Sequence, residues 1–374
     1  MVPSEILTPL VEPWYSSLSD PAGAQDETLR RLLAGYARTA YGSARSASSI
    51  GDVTAYRQSF PVVRYADLLP RIEEVRRGRY SSLIPEPVQR WVMTRGSTGA
   101  PKLFPATETH LSEVLAVGAR ALVNFVIRTG DESILDGGVL NLNFPSEVAS
   151  LQGPAGEERY GYSSGTYAKL NPSFGKTTLV PRQEEIDSLG GGITKADWER
   201  RFDLVYEAAS DADIACTMGV TPVILSFARY LRRRKHDLPK RLWKMKALFC
   251  TSVAKIQTRY APALRALYGS TSVVEMYTAT EGIFAQQKDE NPYVSPNYDV
   301  YLFEVLTRGG VKMLHELRPR EWGRLVVSTP VFPRYDIGDY VESLGKGYFR
   351  VIGRAKLSTA VEHVLYNLSA FRMP

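Results

Sequence analysis

The chain has 374 residues, of which 44% are apolar and 23% charged, with a formal net charge of +6. These are ordinary values for a globular protein, and the length allows a large core and more than one subdomain. No run approaches the ~18 apolar residues of a membrane span, and Met1 to Glu5 lack the basic and apolar regions of a secretory signal, so no membrane partner is expected. The two cysteines, Cys216 and Cys250, have no CxxC partner and sit in apolar surroundings. They read as reduced core residues of a cytoplasmic protein, which excludes a disulfide frame or a zinc site.

In chain order, residues 1–84 read as a helical and loop segment packed on the core. Asp26 is placed to cap a helix in which Leu29, Leu32, Leu33, Tyr36 and Ala40 share a face, ending at Gly42. Ser43 to Thr54 reads as a loop, and Tyr65 to Arg77 as a short helix. Residues 85–296 alternate strand and helix. A strand at Trp91-Val92-Met93 leads through a polar, glycine-containing loop to a long helix from about Thr107 to Thr129, ended by Gly130. A strand near Val139 follows, then a Gly-, Ser-, Tyr- and Pro-rich stretch, Gln152 to Gly192, that reads as a long irregular excursion lining a pocket. Strands near Ile214–Met218, Ala247–Cys250 and Ser272–Met276 are separated by helices near Lys195–Ala209, Pro222–Lys235 and Ile256–Tyr268. This repetition predicts a mainly parallel sheet covered by helices. Residues 297–357 change to a β-rich, barrel-like subdomain, with Gly345-Lys346-Gly347 as a hairpin turn. Residues 358–374 read as a short tail. The basic patch Arg229 to Arg241 reads as a solvated helix end, and no nucleic-acid partner is expected.

The loop Thr94-Arg95-Gly96-Ser97-Thr98-Gly99-Ala100-Pro101-Lys102 carries the strongest chemical signal. Glycines allow close backbone approach, hydroxyls and free N–H groups suit an anion, and a lysine supplies a mobile charge for phosphate. The P-loop pattern does not fit: counted from Gly96, Pro101 stands where the second glycine belongs, and Leu103 where the metal-binding hydroxyl belongs. The competing reading is a surface turn rich in Gly, Ser and Thr.

Three further clusters lie on later connections. Tyr277-Thr278-Ala279-Thr280-Glu281-Gly282 follows a strand and so lies at the carboxyl edge where open α/β sheets bind ligands. Arg334-Tyr335-Asp336-Ile337-Gly338-Asp339 and Gly353-Arg354-Ala355-Lys356 lie in the β-rich part. Singly, each reads equally as a turn or a surface ion pair. In this order the four resemble the ANL superfamily of adenylate-forming enzymes: acyl-CoA synthetases, peptide-synthetase adenylation domains and luciferases. The form Arg334 to Val341 is closer to the plant hormone acyl-amide synthetases and aryl-CoA ligases, and the chain also resembles a short phenazine-pathway branch. The resemblance covers roughly residues 85 to 357.

The resemblance implies an α/β fold with the ANL large-domain architecture: layered helix-covered sheets plus a β-rich subdomain. It implies attack of a carboxylate on the α-phosphate of ATP, giving an acyl-adenylate and pyrophosphate. Thr94, Ser97, Thr98, Gly99 and Lys102 would hold the β- and γ-phosphates, and Glu281, with Thr98, would place Mg²⁺. Thr280 would contact the α-phosphate, Tyr277 the adenine, and Asp339 and Arg354 the ribose; Lys102, Thr280 and Glu281 form the catalytic set. Met218, Gly219 and Val220, with Thr278 and Ala279, would line the acyl pocket. Two departures from the family pattern stand out. Cys250-Thr251-Ser252 replaces a Gly-Gly or Gly-Ala step beside the adenine, and the family's small C-terminal domain is not expected after the hinge at Lys356. The resulting expectation is activation of a small-molecule carboxylate, aromatic and of the phenazine carboxylate type, with the adenylate handed to a downstream partner enzyme such as a reductase. The alternatives are a complete acyl-CoA ligase, a non-catalytic nucleotide- or carboxylate-binding protein, and a scaffolding protein.

Overall fold

The computed structural model describes residues 4–94, 101–154, 156–171, 173–174 and 177–370. Its centre is an eight-stranded sheet ordered Ser295–Pro296, Gly282–Gln286, Ser272–Ala279, Ala247–Thr251, Ile214–Val220, Gly138–Leu140, Thr177–Val180, Ser173–Phe174. The five strands from Ser272–Ala279 to Thr177–Val180 are parallel to one another. Ala247–Thr251 is buried at every position. A strand covered on both faces has no solvent side to alternate toward, so it reads as a continuous apolar run. On one face lie Leu248, Cys250 and Val273 with the helices Lys195–Ala209, Thr221–Tyr230 and Ala261–Tyr268. On the other lie Ala247, Phe249, Val274 and Met276 with the helix Glu108–Thr129.

That helix starts where its chemistry directs. The Thr107 hydroxyl accepts the backbone N–H of His110 (3.2 Å), and Gly130 ends the helix at φ 69°. With 22 residues and a mean hydropathy of 1.4 it is long and apolar enough to cross a bilayer, contrary to the expectation from apolar runs alone. More than half of its apolar window is buried inside the protein, and it packs against the helix Ser4–Ser19 and the strand Gly282–Gln286. It is therefore a core helix here.

A five-stranded antiparallel sheet runs Gly310–Met313, Leu302–Thr307, Trp322–Ser328, Tyr335–Gly345, Tyr348–Arg354. Its last two strands are joined through Lys346 (φ 53°) and Gly347 (φ 77°), the paired positive φ values of a tight hairpin. Leu29, Leu33, Tyr36, Tyr56 and Phe60 from the N-terminal helices share a core with Phe303, Leu325, Val327 and Phe332 of this region. A four-stranded sheet ordered Leu103–Ala106, Arg90–Met93, Gly156–Tyr162, Ala149–Gly153 brings Thr94 and Lys102 side by side.

Several sequence expectations are corrected. Asp20, not Asp26, caps the second helix, Pro21–Tyr36, by accepting the Gly23 N–H. The helix Ser4–Ser19 precedes it and contains Pro9 and Pro13, which hid it from a propensity reading. Within Ser43 to Thr54 a short 3₁₀ turn forms at Ala47–Ser49. Gln152 to Gly192 is not an irregular excursion. It holds the strands Gly156–Tyr162 and Thr177–Val180 and the helices Ser163–Leu170 and Gln183–Ser188. Gly161 and Gly165 stand where a Cβ would meet the Ser146 and Phe144 backbones, within 2.3 Å and 1.9 Å. These glycines are packing positions, and composition alone made them look like loop. The residues expected to form a tail form the helix Leu357–Ala370.

Arg334, the first residue of the third cluster, is a structural anchor. It is buried at φ 43°, pairs with buried Glu304 through Nε (2.9 Å) and Nη2 (3.1 Å), and donates to the carbonyls of Arg57 and Phe60. Removing one member of such a pair leaves the other buried without its countercharge. Glu304→Ala is expected to cost about 3–5 kcal/mol of stability, measured as a lower urea midpoint; a change below 1 kcal/mol would show that the pair holds little.

Candidate active site

The described site residues meet in one place. A cavity of roughly 880 Å³ is lined by Thr94 and Lys102 from one segment, Met218, Gly219 and Val220 from a second, Tyr277 through Glu281 from a third, and Asp339 and Arg354 from a fourth. Ser97, Thr98 and Gly99 lie outside the described residues.

Thr94, Lys102, Thr280, Glu281 and Arg354 sit at or next to strand ends, whereas Asp339 lies within the strand Tyr335–Gly345. Thr94 follows the strand Arg90–Met93, and its backbone N–H donates to the Lys102 carbonyl (3.0 Å) while Lys102 N–H donates to the Thr94 hydroxyl (3.0 Å). These two bonds close the base of the Gly-rich loop. Lys102 Nζ lies 5.3 Å from the centroid of the Tyr65 ring. Thr280 and Glu281 form the turn between the strands Ser272–Ala279 and Gly282–Gln286, after a register shift at Tyr277/Thr278. Gly282 is required there, because a Cβ would come within 2.8 Å of the Tyr301 ring. Gly338 takes φ 80° and donates its N–H to the Asp336 carboxylate (3.0 Å), which turns Asp339 inward.

The second and third clusters exchange hydrogen bonds. The Tyr277 hydroxyl donates to Asp339 Oδ2 (2.9 Å), and Arg354 Nε approaches Asp339 Oδ1 (3.4 Å). Tyr335 stands beside the Glu281 carboxylate and favours its charged form. Burial pushes both carboxyls above their usual range; Arg354 and Tyr277 oppose this at Asp339, and Glu281's own backbone N–H, Lys102 and Tyr335 oppose it at Glu281. The Glu281 carboxylate is a single hard oxygen donor in a buried setting. That donor suits a divalent cation whose remaining ligands come from phosphate and water. Among the described residues no group of three or more His, Cys, Asp or Glu side chains converges on a metal position.

Residues that the sequence reading missed support this turn from behind. The Tyr167 hydroxyl donates to the Thr280 carbonyl (2.8 Å), and His110 Nε2 stands 3.1 Å from the same hydroxyl. Because the tyrosine proton is committed to Thr280, the histidine donates. Its burial lowers its pKa to about 3, so the ring is neutral. Neither residue carried a motif signal, since one lies on the core helix and the other in the segment read as irregular. Tyr335 stood inside a recognised cluster, and only its tertiary partner assigns it to Glu281.

The loop after Ala247–Thr251 also rims the cavity. Ser252 takes φ 76° and Lys255 φ 63°, conformations that favour glycine. Ser252 stands in the segment where the resemblance leads one to expect a glycine step, and the backbone path takes a left-handed φ there with a serine side chain. The path is held by the Thr251 hydroxyl, which donates to the Gly219 carbonyl (3.1 Å) and lies 3.0 Å from Ser252 Oγ. Ser252→Gly is expected to raise unfolding free energy by about 0.5–1 kcal/mol, read as a higher melting temperature; a fall would mean that the serine hydroxyl outweighs the backbone strain.

Comparison with known proteins agrees with this geometry at the level of fold. Residues 14–184 match the GH3 family N-terminal domain. Over 100 residues the chain is 35% identical to a probable indole-3-acetic acid-amido synthetase, GH3.13, of Oryza sativa subsp. japonica; the match spans 24% of this chain and 21% of that protein. The solved structure of the acyl acid amido synthetase AtGH3.15 in complex with 2,4-DB superposes with a TM-score of 0.76 at 15% identity, over 95% of this chain and 72% of that one. A 2-hydroxyisobutyryl-CoA ligase in its postadenylation state, holding 2-HIB-AMP, gives 0.62 at 15% identity over 89% and 68%. The chain therefore has the layered α/β fold of these acyl acid amido synthetase and CoA ligase structures, and residues 14–184 are similar to the GH3 family N-terminal domain.

Proposed function

We propose that this protein activates a carboxylic acid with ATP. A carboxylate oxygen attacks the α-phosphorus, the bond to the β-phosphate oxygen breaks, and acyl-adenylate and pyrophosphate result. One observation carries the reading: Lys102, Glu281 and Asp339, far apart in sequence, line a single cavity that also has an apolar end. The fold shared with an acyl acid amido synthetase and a CoA ligase supports it.

In this reading Lys102, with Thr94 and the loop residues Ser97, Thr98 and Gly99, neutralises charge on the departing pyrophosphate. Glu281, with Thr98, would hold Mg²⁺, which would supply charge neutralisation to the phosphates. Tyr167 and His110 fix the Thr280 turn against the α-phosphate. Tyr277 provides an aromatic face for adenine while its hydroxyl holds Asp339 for the ribose, and Arg354 fixes the other Asp339 oxygen. Met218, Gly219, Val220, Thr278 and Ala279 border the acyl group. Alignment of the carboxylate with the phosphorus then supplies the remaining rate enhancement.

The acid is aromatic in this proposal, with phenazine carboxylates among the candidates, and the adenylate passes to a partner enzyme such as a reductase. The two buried free thiols fit a reducing, cytoplasmic setting. Pyrophosphate exchange into ATP across a panel of aryl carboxylates tests the reaction. Lys102→Ala and Glu281→Gln are each expected to lower exchange by about 10²–10³-fold with unchanged melting temperature. Absence of exchange with every acid, together with no ATP binding, would leave a binding or scaffolding protein. Adding amines or CoA then identifies the acceptor.

The pH dependence has a definite sign. Glu281 works as the carboxylate and its pKa is raised by burial, so exchange should fall as pH drops through a value above the ordinary carboxylate range. Tyr335→Phe removes a hydroxyl that favours the charged form and should move that limb to higher pH. An unshifted limb would separate Tyr335 from Glu281.

A further inference from the structure

The protein's charge is concentrated in one place. Residues 229–244 hold eight Lys or Arg and one Asp, while the rest of the chain holds 38 Lys or Arg against 39 Asp or Glu. The whole positive excess therefore resides in this one segment. It comprises the end of the helix Thr221–Tyr230, the wide helical turn Leu231–Lys235 closed by His236 at φ 56°, and the short helix Pro239–Leu242. Arg229, Arg232, Arg233, Lys240, Arg241 and Lys244 are exposed, and among the described residues no carboxylate forms an ion pair with them. Like charges a helical turn apart repel, so such a cluster lowers stability until an anion covers it.

The patch is separate from the cavity. Val220, at the end of its strand, lines the cavity, and the ten-residue helix that follows carries the chain about 15 Å back along the sheet. Ala247 then begins the next parallel strand. Residues 229–244 thus lie toward the amino edge of the strands, and a partner seated there leaves the cavity open.

The chemistry narrows the partner. Tyr230 and Trp243 are buried, so the patch offers no ring on which a base could stack. None of the large apolar side chains exposed among the described residues lies in it, so it has no wedge for a bilayer. What it does hold is carboxylate. Lys235 Nζ donates to Asp203 Oδ1 (2.7 Å), and Arg234 Nη2 lies 3.9 Å from Glu199 Oε2. Those two acids stand one turn apart on the helix Lys195–Ala209. An acidic helical stripe therefore already covers one flank of the patch, and the neighbouring Arg229, Arg232 and Arg233 have no such cover.

We propose that residues 229–244 form a docking surface for an acidic helical face of a partner protein, with carboxylates spaced one turn apart as in Glu199 and Asp203. Five of the eight cations are Arg, whose planar fork suits carboxylate bidentately. Docking here is independent of what occupies the cavity.

The test is fluorescence anisotropy with a labelled alanine-based helical peptide carrying glutamates one turn apart on one face. A peptide of the same composition with its glutamates scattered around the helix is the control. The one-faced peptide should bind about fivefold tighter or better, and its affinity should fall about tenfold between about 50 and 300 mM salt. Arg229→Glu/Arg232→Glu/Arg233→Glu should weaken it by about tenfold or more. Arg30→Glu/Arg38→Glu/Arg77→Glu, the same charge change at exposed positions elsewhere, should cost less than about twofold. Melting temperatures should hold in both; if the first triple lowers its own, the same three positions changed to Gln repeat the measurement and should still show the loss. Equal binding of the two peptides, no binding of either, or an equal loss in the second triple each overturns the proposal. So does tighter binding of single-stranded DNA or phosphatidylserine vesicles at matched negative charge, which would assign the patch to phosphate groups. Salt-sensitive self-association of the protein that the first triple abolishes would assign it to a second copy and likewise overturn it.

Discussion

Two tyrosine–carboxylate contacts, arranged reciprocally, join the parallel sheet to the five-stranded sheet. Tyr277, at the end of a parallel strand, donates to Asp339 of the five-stranded sheet, and Tyr335 of that sheet stands beside Glu281 on the parallel side and favours its charged form. Both carboxyls are nearly buried. A buried carboxylate without partners is strongly disfavoured, so each needs a donor from the opposite sheet. The cost of burying these acids is thereby tied to correct juxtaposition of the sheets. The same bonds fix both groups where a ligand entering the cavity meets them.

The surrounding structure serves this junction in layers. Arg334, just before Tyr335, is anchored by Glu304 and two carbonyls, so the strand carrying Tyr335 and Asp339 enters the junction from a rigid corner. His110 and Tyr167 brace the Thr280 carbonyl from the other side. The positive-φ residues Ser252 and Lys255 lie on the cavity rim, where backbone conformations that most residues avoid are kept by the hydroxyls of Thr251 and Ser252. Polar groups thus gather at the mouth, and the wall between the core helix and the sheet is left apolar.

The long helix joins fold and site. Its apolar surface is broad enough to satisfy a membrane criterion, yet it is consumed by the helix Ser4–Ser19 on one side and by the sheet and cavity on another. A periodicity reading assigns all of that surface to the core. Only the packing shows that Leu115, Gly118 and Ala119 border the cavity.

Some of this protein is written locally, and those parts could be read from the chain alone. The strand–helix alternation after Trp91, the Thr107 cap with its Gly130 stop, the Lys346-Gly347 turn and the polar clusters around Lys102, Glu281 and Asp339 depend on residues within a few positions of one another, where propensity and side-chain chemistry act directly. Other parts depend on atoms brought near by folding. Gly161 and Gly165 look like loop until the backbones of Ser146 and Phe144 arrive, the Arg334 cluster reads as a turn or a surface ion pair until Glu304 and the Arg57 and Phe60 carbonyls bury the guanidinium, and the roles of Tyr335 and Tyr167 depend on Glu281 and Thr280, whose positions near them local sequence does not encode. Tertiary packing decided these because the energy of a buried hydrogen bond or a close backbone contact belongs to the pair, and the second partner lies elsewhere in the chain.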